Sequence, residues 1–321
     1  MKRALRMIVA LLLLASLLVL VPSGTIVAQA EIVELPLDAK AGMKPQEDGY
    51  VGEWEYTDPS ISVKIETGIY KDTYYMVSRI KIANGSQLRT SMAGSYWSPS
   101  TAMPATMANR VSAVFAINGD YYSQLKGAGY ITRQGKEYRV NCTGKHAARF
   151  DVLVIDNLGD LHILPKATNE SIDAFKKSLL DENGNATRTI VNAFTFGPAL
   201  IIDGEPQPIV KDDQKASHKS AQRMCLAQVG PLEYLCIASE GPECKRSTGL
   251  TLEEFSELVC SFEEIQNAYN LDGGSSTAMV FRKQDTKTGK WKNDKINSPL
   301  NPKKRPLNDI IYFASAWKPE E

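Results

Sequence analysis

From Ile61 onward the chain alternates in polarity: Ile61, Val63 and Ile65 point one way, and Tyr74-Tyr75-Met76-Val77 and Ile80-Lys81-Ile82 follow. Period-two alternation rich in aromatic and β-branched residues predicts strands, and Asn84-Gly85 predicts a turn after them. Thr101 to Asn109 is rich in Ala and Met and predicts a short helix with Pro104 in its first turn. Val111 to Ile117 is almost continuously apolar, the signature of a buried strand, and runs straight into Asn118-Gly119-Asp120-Tyr121-Tyr122. Gly127 to Ile131 and Arg133 to Lys136 continue as strand and turn, and Val152–Ile155 with Leu161–Leu164 predicts a hairpin. Residues 166 to 187 read as a surface excursion, with a helix near Ile172 to Leu180 closed by Asn183-Gly184.

Ala193 to Ile202 leads into the turn Asp203-Gly204, and a polar loop from Lys211 to Gln222 ends at Arg223. Thr251 and Glu254 form a capping box, after which Leu252, Phe255, Leu258, Val259, Phe262 and Ile265 recur at helical spacing. Twice the chain therefore runs helix, short apolar strand, then a Gly/Asp turn: once to Asn118-Gly119-Asp120 and once to Asp272-Gly273-Gly274. The tail from Arg282 to Arg305 is polar and basic before Ile310-Ile311-Tyr312-Phe313 closes as a last strand. Many short strands and few helices predict an α+β fold of mostly antiparallel sheets in one domain, 61–317, behind a polar lead-in, 31–60.

The first residues have a different character. Lys2, Arg3 and Arg6 precede an apolar run from Met7 to about Val21, and Ala28-Gln29-Ala30 offers small residues for cleavage. That layout predicts a secretory signal over 1–30, and hence a secreted or cell-envelope protein. The run is about 15 residues where a membrane helix takes about 20, so membrane contact would come only through this segment left uncleaved. Lys+Arg and Asp+Glu both count 37, and no basic block is interleaved with aromatics, which excludes a nucleic-acid partner. The five cysteines lack the paired spacing of a zinc site. Cys225 and Cys236 flank Gly230-Pro231, so they can face each other across a hairpin or sit as separate buried thiols.

The stretch Ala268 to Phe281 carries the clearest chemistry. Gly273 and Gly274 admit backbone angles closed to other residues, and the N–H groups there, with the Ser275 and Ser276 hydroxyls, can form an anion-binding nest. Asp272 stands at a strand end, where a carboxylate can face a pocket; Asp-Gly is equally the signature of a simple hairpin.

Three segments in order carry a resemblance. They are Phe115 to Tyr122, Phe196-Gly197-Pro198-Ala199-Leu200 with Asp203-Gly204, and Asn270-Leu271-Asp272-Gly273-Gly274-Ser275-Ser276. The set resembles the phosphodiester glycosidase family, in particular its bacterial members labelled exopolysaccharide-biosynthesis proteins. The closing Arg305 to Phe313 looks like those members' ending. Two departures stand out: the family's Pro-Arg-Thr-like stretch reads Ala221-Gln222-Arg223-Met224, and its Asp-Gly-Arg reads Glu240-Gly241-Pro242.

The resemblance implies a hydrolase for the glycosidic bond of a sugar-1-phosphodiester, in a cell-envelope or extracellular glycan. Its phosphate leaving group already carries charge, so the reaction needs a carboxylate near the oxocarbenium-like carbon and donors or cations on the phosphate. Asp120 and Asp272 are then the catalytic carboxylates, one as nucleophile or base and the other as acid or sugar ligand. Arg223 is the phosphate clamp, Asn118 fixes a sugar hydroxyl, and Gly119, Gly197, Gly273, Gly274, Ser275 and Ser276 line the substrate. Asp120, Asp272 and Asn118 are oxygen ligands that suit calcium or magnesium, although no spacing requires a cofactor. The competing readings are a non-catalytic glycan-binding or exopolysaccharide-assembly protein and a glycan-phosphate transferase. His146, His162 and His218 are scattered, His162 at a structural strand position, and Lys303-Lys304-Arg305 reads as a solvated face.

Overall fold

The alternation along the strands gives each one an inner and an outer face, and three antiparallel sheets use this to enclose one core. The computed structural model describes residues 30–125, 127–143, 150–210, 218–262, 264–284, 287–298 and 305–320. The export segment (apart from Ala30), His146, Lys215 and Lys303-Lys304 lie outside these residues. Among the described residues no helix is long and apolar enough to cross a membrane.

Apart from the short pair Glu31–Ile32 and Trp317–Lys318, the strands begin in chain order β1 (Glu55–Asp58), β2 (Ile61–Tyr70), β3 (Thr73–Ile82), β4 (Leu88–Met92), β5 (Ala113–Asn118) and β6 (Gly129–Arg133). They continue β7 (Lys136–Asn141), β8 (Asp151–Asp156), β9 (Leu161–Leu164), β10 (Ile190–Phe196), β11 (Ala199–Ile202) and β12 (Glu205–Pro206). The last are β13 (Arg223–Gly230), β14 (Glu233–Ser239), β15 (Asn267–Leu271), β16 (Met279–Gln284), β17 (Trp291–Lys295) and β18 (Asp309–Ala314). Among the described residues the α-helices are α1 (Pro104–Arg110), α2 (Asn169–Ser178) and α3 (Leu252–Cys260). An eight-stranded sheet runs β12-β11-β15-β13-β14-β3-β2-β1, and two five-stranded sheets run β9-β8-β10-β6-β7 and β17-β16-β5-β18-β4.

Residues Ile32–Lys318 form one unit. Its central core takes Val63 and Leu226 from the eight-stranded sheet, Leu153 and Phe194 from the second, and Phe115 and Phe313 from the third. Each outer face has a helix: α3 over Cys225 and Ala227, α1 over Ala116 and Tyr312, and α2 over Val152 and Ala193. Burial on both faces explains why β5 is buried at all six positions and reads as an uninterrupted apolar run.

Several elements differ from their sequence expectation. Residues 32–60 belong to the same unit: Tyr56 is in the central core and β1 is the edge of the eight-stranded sheet. Helix α3 ends at Cys260, where the Ser261 N–H bonds the last-turn carbonyls, although Ile265 keeps the helical spacing and stays buried. Cys225 and Cys236 do lie on one hairpin, but Cys225 faces α3 and Cys236 the central core; all five cysteines are free thiols. Asp272-Gly273 is no hairpin either. Strand β15 belongs to the eight-stranded sheet and β16 to the β5 sheet, so 272–278 carries the chain between them.

Candidate active site

The two helix–strand–turn passages converge. Asn118, at the end of β5, donates from Nδ2 to the Asp272 carbonyl at 2.8 Å and accepts the Ala278 N–H on Oδ1 at 3.0 Å. Its own N–H reaches the Ala278 carbonyl at 3.1 Å. Buried and engaged in this way, Asn118 pins both ends of the 272–278 crossing to β5. Gly197 has a different role: its carbonyl accepts from Asn270 Nδ2 at 2.7 Å and so holds the strand that delivers Asp272.

The glycines of the crossing are needed for close approach. A Cβ on Gly273 would stand 2.8 Å from the Gln222 carbonyl oxygen, and Gly274 has φ +60. The Gly274 N–H donates to that same carbonyl at 2.8 Å, and those of Ser276 and Thr277 donate to Gly273 and Gly274 within the loop. The nest expected over Gly273 to Ser276 is therefore largely satisfied internally, and the Ser276 hydroxyl turns to the Asp272 carboxyl. Asp272 is half-buried, and burial raises its carboxyl above the usual range. The Ser276 hydroxyl, the Arg305 charge and the Gly273 N–H oppose that rise, while nearby Asp120 adds to it. Arg305 Nη1 lies 3.0 Å from Ser276 Oγ and 3.4 Å from Ser275 Oγ. Arg305, read from the sequence as part of a solvated basic run, is thus a member of the site.

Asp120 is placed differently. Its side chain is fully enclosed, Oδ1 accepting from Arg133 Nη2 at 2.8 Å and the Tyr122 N–H at 3.1 Å, and Oδ2 from the Thr195 N–H at 3.0 Å. Arg133 also binds Asp309 Oδ2, through Nε at 2.9 Å and Nη2 at 2.8 Å. Asp309 is fully buried, and among the described residues its Oδ1 has no hydrogen-bond partner. Desolvation pushes its carboxyl up to about 7 against the pull of Arg133. A Cβ on Gly119 would stand 2.5 Å from that Oδ1, so only glycine fits there. Neither Arg133 nor Asp309 carries a sequence signal of this role; one ends a short strand and the other starts one.

Arg223 opens β13 one residue after Gln222, so its backbone belongs to the site. Its guanidinium turns to carbonyls, Nε to Leu250 at 3.1 Å and Nη2 to Lys219 at 2.6 Å, and burial brings it down to about 10. Glu240 is held by Arg246, Nε at 3.0 Å and Nη2 at 2.6 Å, and that guanidinium lies over the Tyr74 ring. Of the oxygens suggested by sequence for a cation, both of Asp120 and Oδ1 of Asn118 accept hydrogen bonds, while the Asp272 carboxylate is half-buried. Among the described residues no group of three or more His, Cys, Asp or Glu side chains is arranged to hold a metal ion. His162 pairs with Asp156 at 3.0 Å, away from these strand ends.

Comparison with known proteins gives this geometry a context. No curated protein sequence matches the chain. Among solved structures, the catalytic domain of zebrafish N-acetylglucosamine-1-phosphodiester alpha-N-acetylglucosaminidase, auto-inhibited by its pro-peptide, aligns with a TM-score of 0.56 at 14% identity. That alignment covers 89% of this chain and 98% of the other, and shows a shared fold. A hypothetical protein from Synechocystis aligns with a TM-score of 0.49 at 15% identity, over 79% of this chain and 62% of that one. The phosphodiester glycosidase family model matches residues 112–314, the span that holds β5, Asp120, Arg223 and the Asp272 crossing, and the chain belongs to that family.

Proposed function

We propose that the protein is an exported hydrolase that cleaves the glycosidic bond of a sugar-1-phosphodiester in a cell-envelope or extracellular glycan, with Asp272 as the acting carboxylate. Family membership supports the bond type, and the basic-then-apolar N-terminus supports export. The observation that carries the residue assignment is the contrast between the two aspartates. Asp272 is half-buried at a strand end beside Ser276 and Arg305, whereas every outward face of the Asp120 carboxylate is closed.

In this reading Asp272 meets the anomeric carbon as nucleophile, or activates the water that attacks it. The carbon–oxygen bond to phosphate breaks, its electron pair stays with the phosphate oxygen, and water supplies the new hydroxyl. The products are free sugar and a phosphomonoester. A raised carboxyl pKa makes Asp272 the better proton acceptor once it is ionised. Asp120 acts through Arg133 to fix the 118–120 turn that Asn118 ties to the crossing.

The test is turnover of a panel of sugar-1-phosphodiesters, N-acetylglucosamine ones included, reading sugar and phosphomonoester together. Asp272→Asn is expected to lower kcat by about 10²–10⁴ with folding intact. Asp120→Asn is expected to lose thermal stability along with activity, because it breaks a buried ion pair. Binding without turnover on every substrate would move the assignment to a glycan-binding or assembly protein. Sugar passing to a glycan hydroxyl in place of water would make it a transferase.

A further inference from the structure

Beside the Asp272 crossing lies a cleft of about 240 Å³ that the phosphate assignment from sequence does not use. It is lined by Ser275 and Ser276, by α1 with Asn109, by β17 with Lys292 and Lys295, and by Arg305. Helix α1 and β17 are fixed to each other, since Asn109 Nδ2 donates to the Asn293 carbonyl at 3.1 Å and Asn109 Oδ1 accepts the Asn293 N–H at 3.3 Å. Three cations and one carboxylate, Asp294, line the cleft, so its formal charge favours an anion.

We infer that this cleft receives the phosphate and aglycone of the substrate, with Arg305 as the cation on the departing phosphate and Arg223 as a positioning residue. The inference rests on the glycosidase reading of Asp272. The two arginines differ in what surrounds them. Arg223 is buried with Nε and Nη2 on main-chain carbonyls, an arrangement that ties the Leu250 and Lys219 segments to β13. Arg305 is exposed, its hydrogen bonds among the described residues go to neutral hydroxyls, and its charge acts on the Asp272 carboxyl nearby.

The serines complete the geometry. A hydroxyl has one donor and two acceptor positions. Ser276 accepts from Arg305 and hydrogen-bonds the Asp272 carboxyl, so one small side chain orients both the carboxylate and the cation. Ser275 accepts from Arg305 on the cleft side, and its O–H remains a donor for a phosphate oxygen. Asp272 brings a carboxylate to this end of the fold, and in the buried group the Arg133 charge is met by Asp120. A substrate anion beside Asp272 needs a cation, and Arg305, held through the shared Ser276, supplies it.

The test pairs binding with turnover in the full chain. Calorimetry with inorganic phosphate would compare wild type, Arg305→Gln, Arg305→Lys and Lys292→Gln/Lys295→Gln, each also in the Asp272→Asn background, where no turnover is needed. Arg305→Gln is expected to weaken phosphate binding at least about tenfold, the loss of one charge-assisted hydrogen bond, with partial recovery in Arg305→Lys. It is also expected to lower kcat/KM about 10²–10³-fold on the phosphodiester and far less on a nitrophenyl glycoside of the same sugar, whose leaving group is not a phosphate. Unchanged phosphate binding in Arg305→Gln, or an equal loss on both substrates, overturns the assignment. Full turnover in Asp272→Asn with phosphate binding still lost in Arg305→Gln would sink the catalytic reading and leave the anion site standing.

Discussion

Two carboxylates share one guanidinium in the interior, Arg133 Nη2 lying 2.8 Å from Asp120 and 2.8 Å from Asp309. Both Asp120 oxygens also accept main-chain N–H groups, whereas Asp309 Oδ1 accepts nothing among the described residues, so the proton that relieves the excess charge rests on Asp309. Its carboxyl, raised from 3.8 to about 7, holds a proton in the folded state over a range where the unfolded chain has lost it. The stability this group contributes is therefore complete below its unfolded pKa and is lost as pH rises through about 7. Asp272 is raised too and acts in the same direction, while Asp156 is lowered and acts at acid pH. Thermal melts of wild type and Asp309→Asn between pH 5 and 8 isolate the difference: wild type is expected to lose stability with rising pH by up to about 1.4 kcal/mol per pH unit more than the variant. Parallel curves would place the proton elsewhere. None of this was legible in the sequence, because Arg133 and Asp309 stand 176 positions apart and only the fold, which sets the end of β6 against the start of β18 from a different sheet, brings them together.

Elements were legible wherever periodicity and burial agree. Strand β8 alternates Val152 and Val154 outward to α2 with Leu153 and Ile155 inward to the central core, and the same alternation is visible in its letters. Periodicity misleads where a loop buries the same face as the helix before it. Phe262 packs edge-on against Tyr75 at 6.5 Å and Ile265 is buried, so apolar spacing continues past Cys260 after the helix has ended. The start of α3 was correctly signed because its cap is a local hydrogen-bond pair: Thr251 Oγ1 accepts the Glu254 N–H at 3.2 Å, and Glu254 Oε2 accepts the Thr251 N–H at 2.9 Å. Thr251→Ala is expected to cost about 1 kcal/mol of unfolding free energy in denaturant titration, without changing activity. A cost near zero would show that packing on the eight-stranded sheet alone holds the helix. The Asp272 turn escaped as an element because its partner is not the next strand in its own sheet but Asn118, 154 positions earlier.

At the scale of the whole molecule the N-terminal segment decides how much chain the fold requires. Arg89 is almost wholly buried, 1% exposed, and its guanidinium binds the carbonyls of Leu35, Pro36 and Ala39 at 3.3, 2.9 and 3.1 Å. Asp58 gathers Tyr56, Ser60 and Ser315 hydroxyls, and so ties the same segment to the end of β18. The polar composition of 31–60 suggested a lead-in, since buried carbonyls that serve a distant arginine leave no mark on side-chain pattern. Removing them would leave a desolvated guanidinium short of acceptors, a cost of the same order as breaking a buried ion pair, about 3–5 kcal/mol. Against a total stability of about 5–15 kcal/mol, that loss together with the edge strand β1 is close to unfolding. A chain beginning at residue 31 is therefore expected to melt cooperatively, like the full-length protein. One beginning at residue 61 is expected to melt far lower or fail to fold, as read by circular dichroism and protease resistance. Equal melting temperatures for the two would show that Arg89 finds other acceptors and that the sheets close without the segment.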